Sequence, residues 1–267
     1  MKIENIIKSR LQEIENEYDV KILLAVESGS RAWGFASAES DYDVRFVYVN
    51  HRNWYLSLKE GRDVIEWMDP TKIYDLAGWD LKKTLILMSR CNCSFAEWLN
   101  SPIVYYRDEQ FFNEITALKE LYFNPIKAIY NYYRIAHGRS DRYLSRYGYQ
   151  MKRYMYTLRG LLSALWVEDK MCFPPVLFSS LVDNMVTDRE LHDEIMKIVA
   201  LKKRSKEHDK VEVCSKLIEY VEFLTEHVEG LLKPERLAEL SKCVSKVDYS
   251  PLDKLLLETI DRFDIQK

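Results

Sequence analysis

The sequence predicts an α+β protein, with a mixed β-sheet flanked by helices in its N-terminal domain and an all-helical C-terminal domain. Within the first 107 positions, apolar residues alternate between helical spacing and short strand-like runs. From residue 108 onward only helical patterns remain. The chain of 267 residues is long enough for two ordinary domains. We therefore expect one domain at residues 1–107 and a second at residues 108–267.

The composition is that of a globular protein and does not by itself favour a particular partner. Hydrophobic residues make up 47% of the chain and charged residues 30%, and the net charge is −3. No apolar run approaches the roughly 18 residues of a membrane span, and the N-terminus lacks a secretory pattern. The five cysteines do not have zinc-site spacing. We expect reduced thiols, a cytoplasmic location and no membrane association.

The first elements of the sheet domain follow from their apolar spacing. A helix is predicted first, because apolar residues recur at spacings of four, four and three (Ile3, Ile7, Leu11 and Ile14). The uninterrupted apolar run KILLAVE predicts a strand that is buried on both faces. DYDVRFVYV has a period of two, which predicts a second strand with Asp41 and Asp43 on one face.

Three further elements complete the predicted sheet domain. RDVIEWM is a third strand candidate, between the turn residues at 60–61 and 69–70. GWDLKKTLILMSR, which begins at Gly78, returns to helical spacing, and SPIVYY predicts a last short strand. These elements together predict a mixed sheet with helices packed on it.

The second domain contains only helical patterns. DEQFFNEITALKELYF and PIKAIYNYYRIAHG are both helical, and a proline in the first turn opens the second of them. In TDREL, Thr187 is a predicted N-cap, with Glu190 completing a capping box. SPLDKLLLETI predicts a final helix, with Ser250 capping it and Pro251 in its first turn.

The segment GSRAWGFASAESDYDVRF, residues 29–46, indicates chemistry on phosphates. Gly29 allows a ligand to approach the backbone closely, and Ser30 has a hydroxyl that can bond a phosphate oxygen. The backbone N–H groups at the start of the following helix also favour a phosphate. Asp41 and Asp43 follow ten residues later, and paired carboxylates are ligands for Mg²⁺ shared with substrate phosphates. This combination predicts phosphoryl or nucleotidyl transfer.

The same segment resembles the signature of the DNA polymerase β-like nucleotidyltransferase superfamily, whose positions are Gly29, Ser30, Gly34, Ser40, Asp41 and Asp43. Over roughly residues 25 to 167 the chain is similar to the RlaP or YcgL-like family of predicted nucleotidyltransferases, which is associated with RNA-repair genes. The resemblance implies Mg²⁺ or Mn²⁺, transfer of an NMP from an NTP to an acceptor hydroxyl, and release of pyrophosphate. It implies an RNA end as the acceptor; the alternatives are a protein or small-molecule hydroxyl, or a non-catalytic nucleotide- or RNA-binding module.

The resemblance also implies a third acidic residue on an adjacent strand, between two apolar residues, that binds metal and activates the acceptor. Glu66, which lies between Ile65 and Trp67, fits this pattern. Asp63 and Glu97 are the reserve candidates. The alternative interpretation is that Glu66 is a strand residue that faces water.

A basic, tyrosine-rich stretch lies between Tyr122 and Arg159, with nine tyrosines and eight Lys or Arg against one acidic residue. Its composition is typical of a surface that binds single-stranded nucleic acid. The resemblance implies that this domain also contributes to nucleotide binding, and the candidates are Lys152, Arg153 and Tyr156, together with Arg31 beside the Gly-Ser turn. The alternative is that the tyrosines form a core and the cations a solvated face.

Overall fold

The computed structural model describes residues 3–137, 149–204 and 210–264. It confirms the predicted α+β class, with a mixed five-stranded sheet in the N-terminal part and mostly helices after it. By its internal contacts the chain divides into two compact units. The sheet unit comprises Met1–Ala32, Asp41–Tyr122 and Lys246–Lys267, and the helical unit comprises Trp33–Ser40 and Phe123–Ser245.

The chain as far as Tyr122 contains the whole five-stranded sheet. In order, its elements are α1 (Ile3–Tyr18), β1 (Lys21–Glu27), α2 (Gly29–Ala32), β2 (Tyr42–Val49), α3 (Arg52–Leu56), β3 (Val64–Met68), β4 (Tyr74–Asp80), α4 (Leu81–Ser89), α5 (Cys93–Leu99), β5 (Val104–Arg107), α6 (Glu109–Leu118) and a 3-10 helix (Lys119–Tyr122).

The rest of the chain is mainly helical. Its elements are α7 (Pro125–His137), β6 (Tyr149–Gln150), α8 (Met151–Lys170), α9 (Phe178–Met185), α10 (Arg189–Arg204), β7 (Lys210–Val211), α11 (Ser215–Leu231), α12 (Pro234–Ser241) and α13 (Ser250–Asp264). Strands β6 and β7 form a separate two-stranded antiparallel sheet. None of the helices in the described part of the chain combines the length and apolar character that crossing a bilayer requires.

The strand order of the main sheet is β3-β4-β2-β1-β5. Strands β2 and β4 pair in parallel, and each of the other neighbouring pairs is antiparallel. Because β1 runs opposite to β2, the C-terminal end of β1 lies beside the N-terminal end of β2, and the N-terminal end of β4 lies on the far side of β2 at the same edge of the sheet. The Gly-Ser turn and the two aspartates therefore meet at one edge of the sheet.

Each face of the sheet has its own core. On one face, Ile7, Leu11 and Ile14 of α1 pack with apolar residues such as Phe46 of β2, as the predicted helical stripe requires. The other face is covered by apolar side chains of α4, α5, α6 and α13. This second core explains why the units differ from the predicted boundary between residues 107 and 108. Helices α6 and α13 lie beyond that boundary, yet they bury their apolar faces with the sheet.

The prediction of a helix from Gly78 was wrong for its first residues, and β4 was missed. Residues Tyr74–Asp80 form a strand, and α4 begins only at Leu81, where the Asp80 side chain caps it by accepting a hydrogen bond from Lys82 N (2.8 Å). Tertiary packing decides this, because Phe46 on β2 lies against Gly78. A Cβ added there would come within 2.1 Å of the Phe46 ring.

The predicted cap of α10 was wrong by one residue. Asp188 rather than Thr187 caps the helix, and its Oδ1 accepts hydrogen bonds from Glu190 N (2.9 Å) and Leu191 N (3.1 Å). Both residues have side chains suited to capping, and a sequence pattern does not distinguish their backbone geometry.

Helix α8 forms the centre of the helical unit and buries most of its length. Gly160 allows α7 to approach closely, since a Cβ there would lie 2.8 Å from the Tyr132 carbonyl oxygen. The segment Trp33–Ser40 belongs to this unit, because Phe35 is fully buried and packs edge-to-face on Phe178. Part of the signature segment therefore contributes to the helical core.

We predict that Gly78→Ala destabilises the protein by about 1–3 kcal/mol, because the added methyl group would overlap the buried Phe46 ring. Chemical denaturation monitored by circular dichroism measures the change. Gly230→Ala is the matched control. Apart from its own chain neighbours and the backbone of α11, no atom of the described residues lies within 4 Å of a Cβ at Gly230, so that change is expected to stabilise the helix by about 0.5–1 kcal/mol. Unchanged stability in Gly78→Ala would contradict the close packing of Phe46.

Candidate active site

The Gly-Ser turn and Asp43 are in direct contact. Strand β1 ends at Glu27, and Ser28 N donates a hydrogen bond to the Asp43 carbonyl oxygen (2.8 Å). Gly29 has a φ of +62°, and a Cβ there would lie 2.3 Å from Asp43 Oδ2. Only glycine suits both the backbone angle and the space. Ser30 is buried at the start of α2.

Arg31 fixes the backbone just before β2. Its Nε donates a hydrogen bond to the Asp41 carbonyl oxygen (2.9 Å), and its guanidinium lies 3.7 Å from the centre of the Tyr42 ring. Tyr42 in turn stacks on Tyr74 of β4, with ring centres 5.5 Å apart. Asp41 itself is exposed, one residue before the strand begins. Arg31 thus contacts the segment that presents the first signature aspartate.

A third carboxylate, that of Asp75, lies beside Asp43 and was not among the residues predicted from the sequence. The parallel register of β2 and β4 sets Asp75 directly opposite Asp43. Arg45 Nη2 donates to Asp43 Oδ1 (3.1 Å) and to Asp75 Oδ2 (2.8 Å). The signal was present, because Asp75 lies between Tyr74 and Leu76 and so fits the apolar-acidic-apolar pattern. It was missed because β4 was not predicted as a strand.

Glu66 lies further from Asp43 than Asp75 does. It is on β3, in register with Ala77 of β4, so β4 separates it from β2. Its side chain is 61% exposed and forms an ion pair with Arg62. The geometry favours Asp75 as the acidic neighbour of Asp43, and a catalytic role for Glu66 stays a prediction.

The two reserve candidates also lie on other elements than the signature aspartates. Asp63 precedes β3 and pairs with Lys83 of α4, whose Nζ lies 3.0 Å from both carboxylate oxygens. Glu97 lies on α5, which packs through its buried side chains in the core of the second sheet face. Neither position is in register with Asp43 on a neighbouring strand.

A buried acid, Glu27, bonds the backbone of Asp43 beside the turn. It is 1% exposed, its Oε1 accepts a hydrogen bond from Asp43 N (2.9 Å), and its Oε2 accepts one from the Tyr105 hydroxyl. Burial raises the pKa of the Glu27 carboxyl to about 7, despite the opposing effect of the two hydrogen bonds. The sequence pattern predicts Glu27 only as the last residue of a strand.

The donor set suits a hard cation, although it is not assembled as a complete metal site. Among residues 3–137, 149–204 and 210–264, no group of three or more His, Cys, Asp or Glu is arranged to hold a metal ion. The cation between Asp43 and Asp75 is the Arg45 guanidinium. Carboxylate oxygens are nevertheless the ligands that Mg²⁺ prefers, so the chemistry of this edge fits such an ion.

The predicted nucleotide-binding residues of the second domain lie on α8 in the helical unit. Lys152 is half-buried, Arg153 is exposed, and Tyr156 packs edge-to-face on Trp33 (4.9 Å between ring centres). Arg159 is buried, with its guanidinium 4.2 Å from the centre of the Trp33 ring. Residues 138–148 of the basic, tyrosine-rich stretch lie outside the described part of the chain.

A mixed sheet with a Gly-Ser turn packed on an aspartate of the neighbouring strand is the arrangement of a polymerase β-like nucleotidyltransferase. Residues 3–258 match the model of the RNA repair pathway DNA polymerase beta family, RlaP. The chain belongs to this family. It is 38% identical over 256 residues to the uncharacterized protein YcgL of Bacillus subtilis (strain 168), an alignment that covers 96% of this chain and 95% of that protein.

The chain also resembles a solved structure, that of a nucleotidyltransferase-like protein from Exiguobacterium sibiricum 255-15. The match has a TM-score of 0.35 and 15% sequence identity, and it covers 97% of this chain and 91% of the other.

We predict that Glu27→Gln changes how stability depends on pH. The folded-state pKa of about 7 lies above the ordinary value, so the folded protein binds more protons than the unfolded chain at pH values between them. The free energy of unfolding of the wild type therefore falls as pH rises through this window. The glutamine side chain of the variant cannot ionise, so its free energy of unfolding should not fall in this way. We expect the difference in free energy of unfolding, variant minus wild type, to be on the order of 1–3 kcal/mol larger at pH 8 than at pH 4.5.

Chemical denaturation at both pH values measures this difference. Glu15→Gln is the control, because Glu15 also accepts a backbone N–H, from Ile22 (2.8 Å), at the other end of β1. We expect no comparable gain at high pH in the control. Parallel pH profiles for wild type and Glu27→Gln would contradict the raised pKa.

Proposed function

We propose that the protein is a divalent-metal-dependent nucleotidyltransferase that moves an NMP from an NTP to an acceptor hydroxyl. The acceptor oxygen attacks the α-phosphorus, the bond to the bridging oxygen of the β-phosphate breaks, and pyrophosphate leaves. The observation that carries this proposal is the contact of Gly29 with Asp43, beside Asp75, in a chain that belongs to a polymerase β family. In this arrangement a tight turn lies next to paired acids. Phosphoryl transfer needs its reacting groups held close together, and the turn and the acids could do so.

The residues that would hold Mg²⁺ or Mn²⁺ are Asp41, Asp43 and Asp75. Such an ion, when bound, neutralises phosphate charge and stabilises the attacking and leaving oxygens. We propose that Asp75, with Glu66 as the alternative, also accepts the proton of the acceptor hydroxyl. Gly29 and Ser30 would contact the triphosphate through backbone N–H groups and the Ser30 hydroxyl.

An RNA end is the acceptor that we propose. The description of the family, an RNA repair pathway, supports this choice. The basic, tyrosine-rich composition of residues 122–159 supports it as well, since aromatic rings and cations together suit single-stranded nucleic acid. Transfer to a protein or small-molecule hydroxyl is the second candidate, and a non-catalytic nucleotide- or RNA-binding module is the third.

We predict that the purified protein transfers label from at least one α-³²P-labelled NTP in the presence of Mg²⁺ or Mn²⁺. The assay offers RNA with free 3′ ends, protein and small-molecule alcohols together, and the destination of the label identifies the acceptor class. Asp43→Asn should lose at least about 100-fold in rate while keeping its fold, because it removes a carboxylate proposed to hold the metal ion. Binding of NTP without any transfer would favour the non-catalytic module.

We predict that replacing each of the two candidates for the third carboxylate has very different effects on the transfer rate. Asp75→Asn should lower the transfer rate by at least about 100-fold, the lower range for loss of a general base. Glu66→Gln should stay within about threefold, because its carboxylate is exposed and paired with Arg62. Initial rates at saturating NTP measure both. The reverse order of effects would return the role to Glu66.

Lys152, Arg153 and Tyr156 remain our candidates for triphosphate binding, on the basis of charge and aromatic character. We predict that Lys152→Ala weakens NTP binding by at least about 1.5 kcal/mol, and NMP binding by less, since the contact would be to the β- and γ-phosphates. Calorimetric titration with both ligands measures this. Lys170→Ala, which changes another lysine of α8 in an ion pair with Asp169, is the control. Equal losses for both ligands would argue against triphosphate contact.

A further inference from the structure

Arg45 makes four hydrogen bonds at the edge of the sheet that holds the signature aspartates. Its Nη1 donates to the carbonyl oxygens of Val44 (3.1 Å) and Asp75 (3.0 Å). Its Nη2 donates to Asp43 Oδ1 (3.1 Å) and Asp75 Oδ2 (2.8 Å). One guanidinium thus joins two neighbouring strands through both their backbones and their carboxylates.

The two carboxylates need such a cation. Asp43 and Asp75 are in register on adjacent strands, which lie about 4.8 Å apart in a sheet, and like charges directly opposite each other destabilise it. Their side chains are only 24% and 28% exposed, so water screens the repulsion incompletely. Arg45, at 21% exposed, supplies a positive charge between them.

The backbone anchors make Arg45 a fixed cation rather than a mobile one. The planar fork of arginine can bond two carbonyl oxygens with one nitrogen and two carboxylates with the other, whereas a lysine ammonium is a single point charge. Arg45 therefore holds the carboxylates of Asp43 and Asp75 at set positions when no other cation is present.

We propose that Arg45 is a positioning residue that serves as the resident counter-cation of the Asp43–Asp75 pair. A divalent metal that binds there must replace the hydrogen bond from Arg45 to Asp43 Oδ1. This rests on the proposed metal dependence. The bonds of Nη1 to Val44 and Asp75 keep the guanidinium on the sheet during this exchange, so Asp75 stays aligned. The consequence is weak binding of metal alone, because the incoming ion displaces one hydrogen bond and meets a nearby positive charge.

Titration with Mn²⁺ in the absence of nucleotide, followed by electron paramagnetic resonance, tests the proposal together with thermal melting with and without Mn²⁺. We expect Arg45→Gln to bind Mn²⁺ at least about fivefold more tightly than the wild type. Its melting temperature should be lower in the absence of metal, and Mn²⁺ should raise it more than in the wild type. A merely structural role would lower stability without tightening metal binding.

Arg45→Lys is the second variant, because it keeps the charge and loses the fork. We expect its metal-free melting temperature to fall and its Mn²⁺ affinity to lie between those of the wild type and Arg45→Gln. Arg107→Gln is the matched control: it removes one surface arginine of β5, which pairs with Glu109 (2.7 Å), and should leave Mn²⁺ affinity unchanged.

The outcomes separate this inference from the proposed function. If the wild type binds Mn²⁺ and both Arg45 variants bind it equally or more weakly, the role of Arg45 is wrong and the metal dependence stands. If neither wild type nor variants bind Mn²⁺, with or without NTP, both proposals are wrong.

Discussion

The parallel pairing of β2 with β4 sets Asp43 beside Asp75, and the candidate site depends on this one register. A shift by one residue would turn one of the two side chains to the other face of the sheet, because side chains alternate along a strand. The register also places two negative charges side by side at a half-buried edge. Arg45 balances them with two carboxylate bonds and two backbone bonds, so charge and register support each other.

Three contacts hold Asp43 in place. Gly29 contacts one carboxylate oxygen, Arg45 bonds the other, and Glu27 accepts the backbone N–H. Glu27 is itself buried and bonded to Tyr105, and its raised pKa means that burial opposes a charge at that position. Near pH 7 such an acid is only partly ionised, so it supports the turn while adding less negative charge to the edge than an ordinary carboxylate would.

Much of the sheet unit and its signature could be predicted from the sequence. The α1 stripe, the buried β1 run and the period of two in β2 reflect local packing requirements that a short segment carries by itself. Strand β4 could not be recognised in the same way. Gly78 interrupts its pattern, and the strand forms because Phe46 of β2 fills the space that a side chain would need. Because this strand was missed, Asp75 was missed too, and the role of the third acidic residue was predicted for Glu66 on the next strand.

The sequence by itself determined the α+β class, the motif of a Gly-Ser turn followed by paired aspartates, and the resemblance to the family, since these depend on residue types at fixed short spacings. Only the tertiary structure decided that α6 and α13 complete the core of the sheet, that residues 33–40 pack in the helical unit, and that Arg45 joins Asp43 to Asp75. The physical reason is the separation along the sequence of the residues that interact. The decisive contacts here, such as those of Arg45 with Asp75, join segments that are far apart in the sequence. A local pattern contains no information about which distant segment will pair with it.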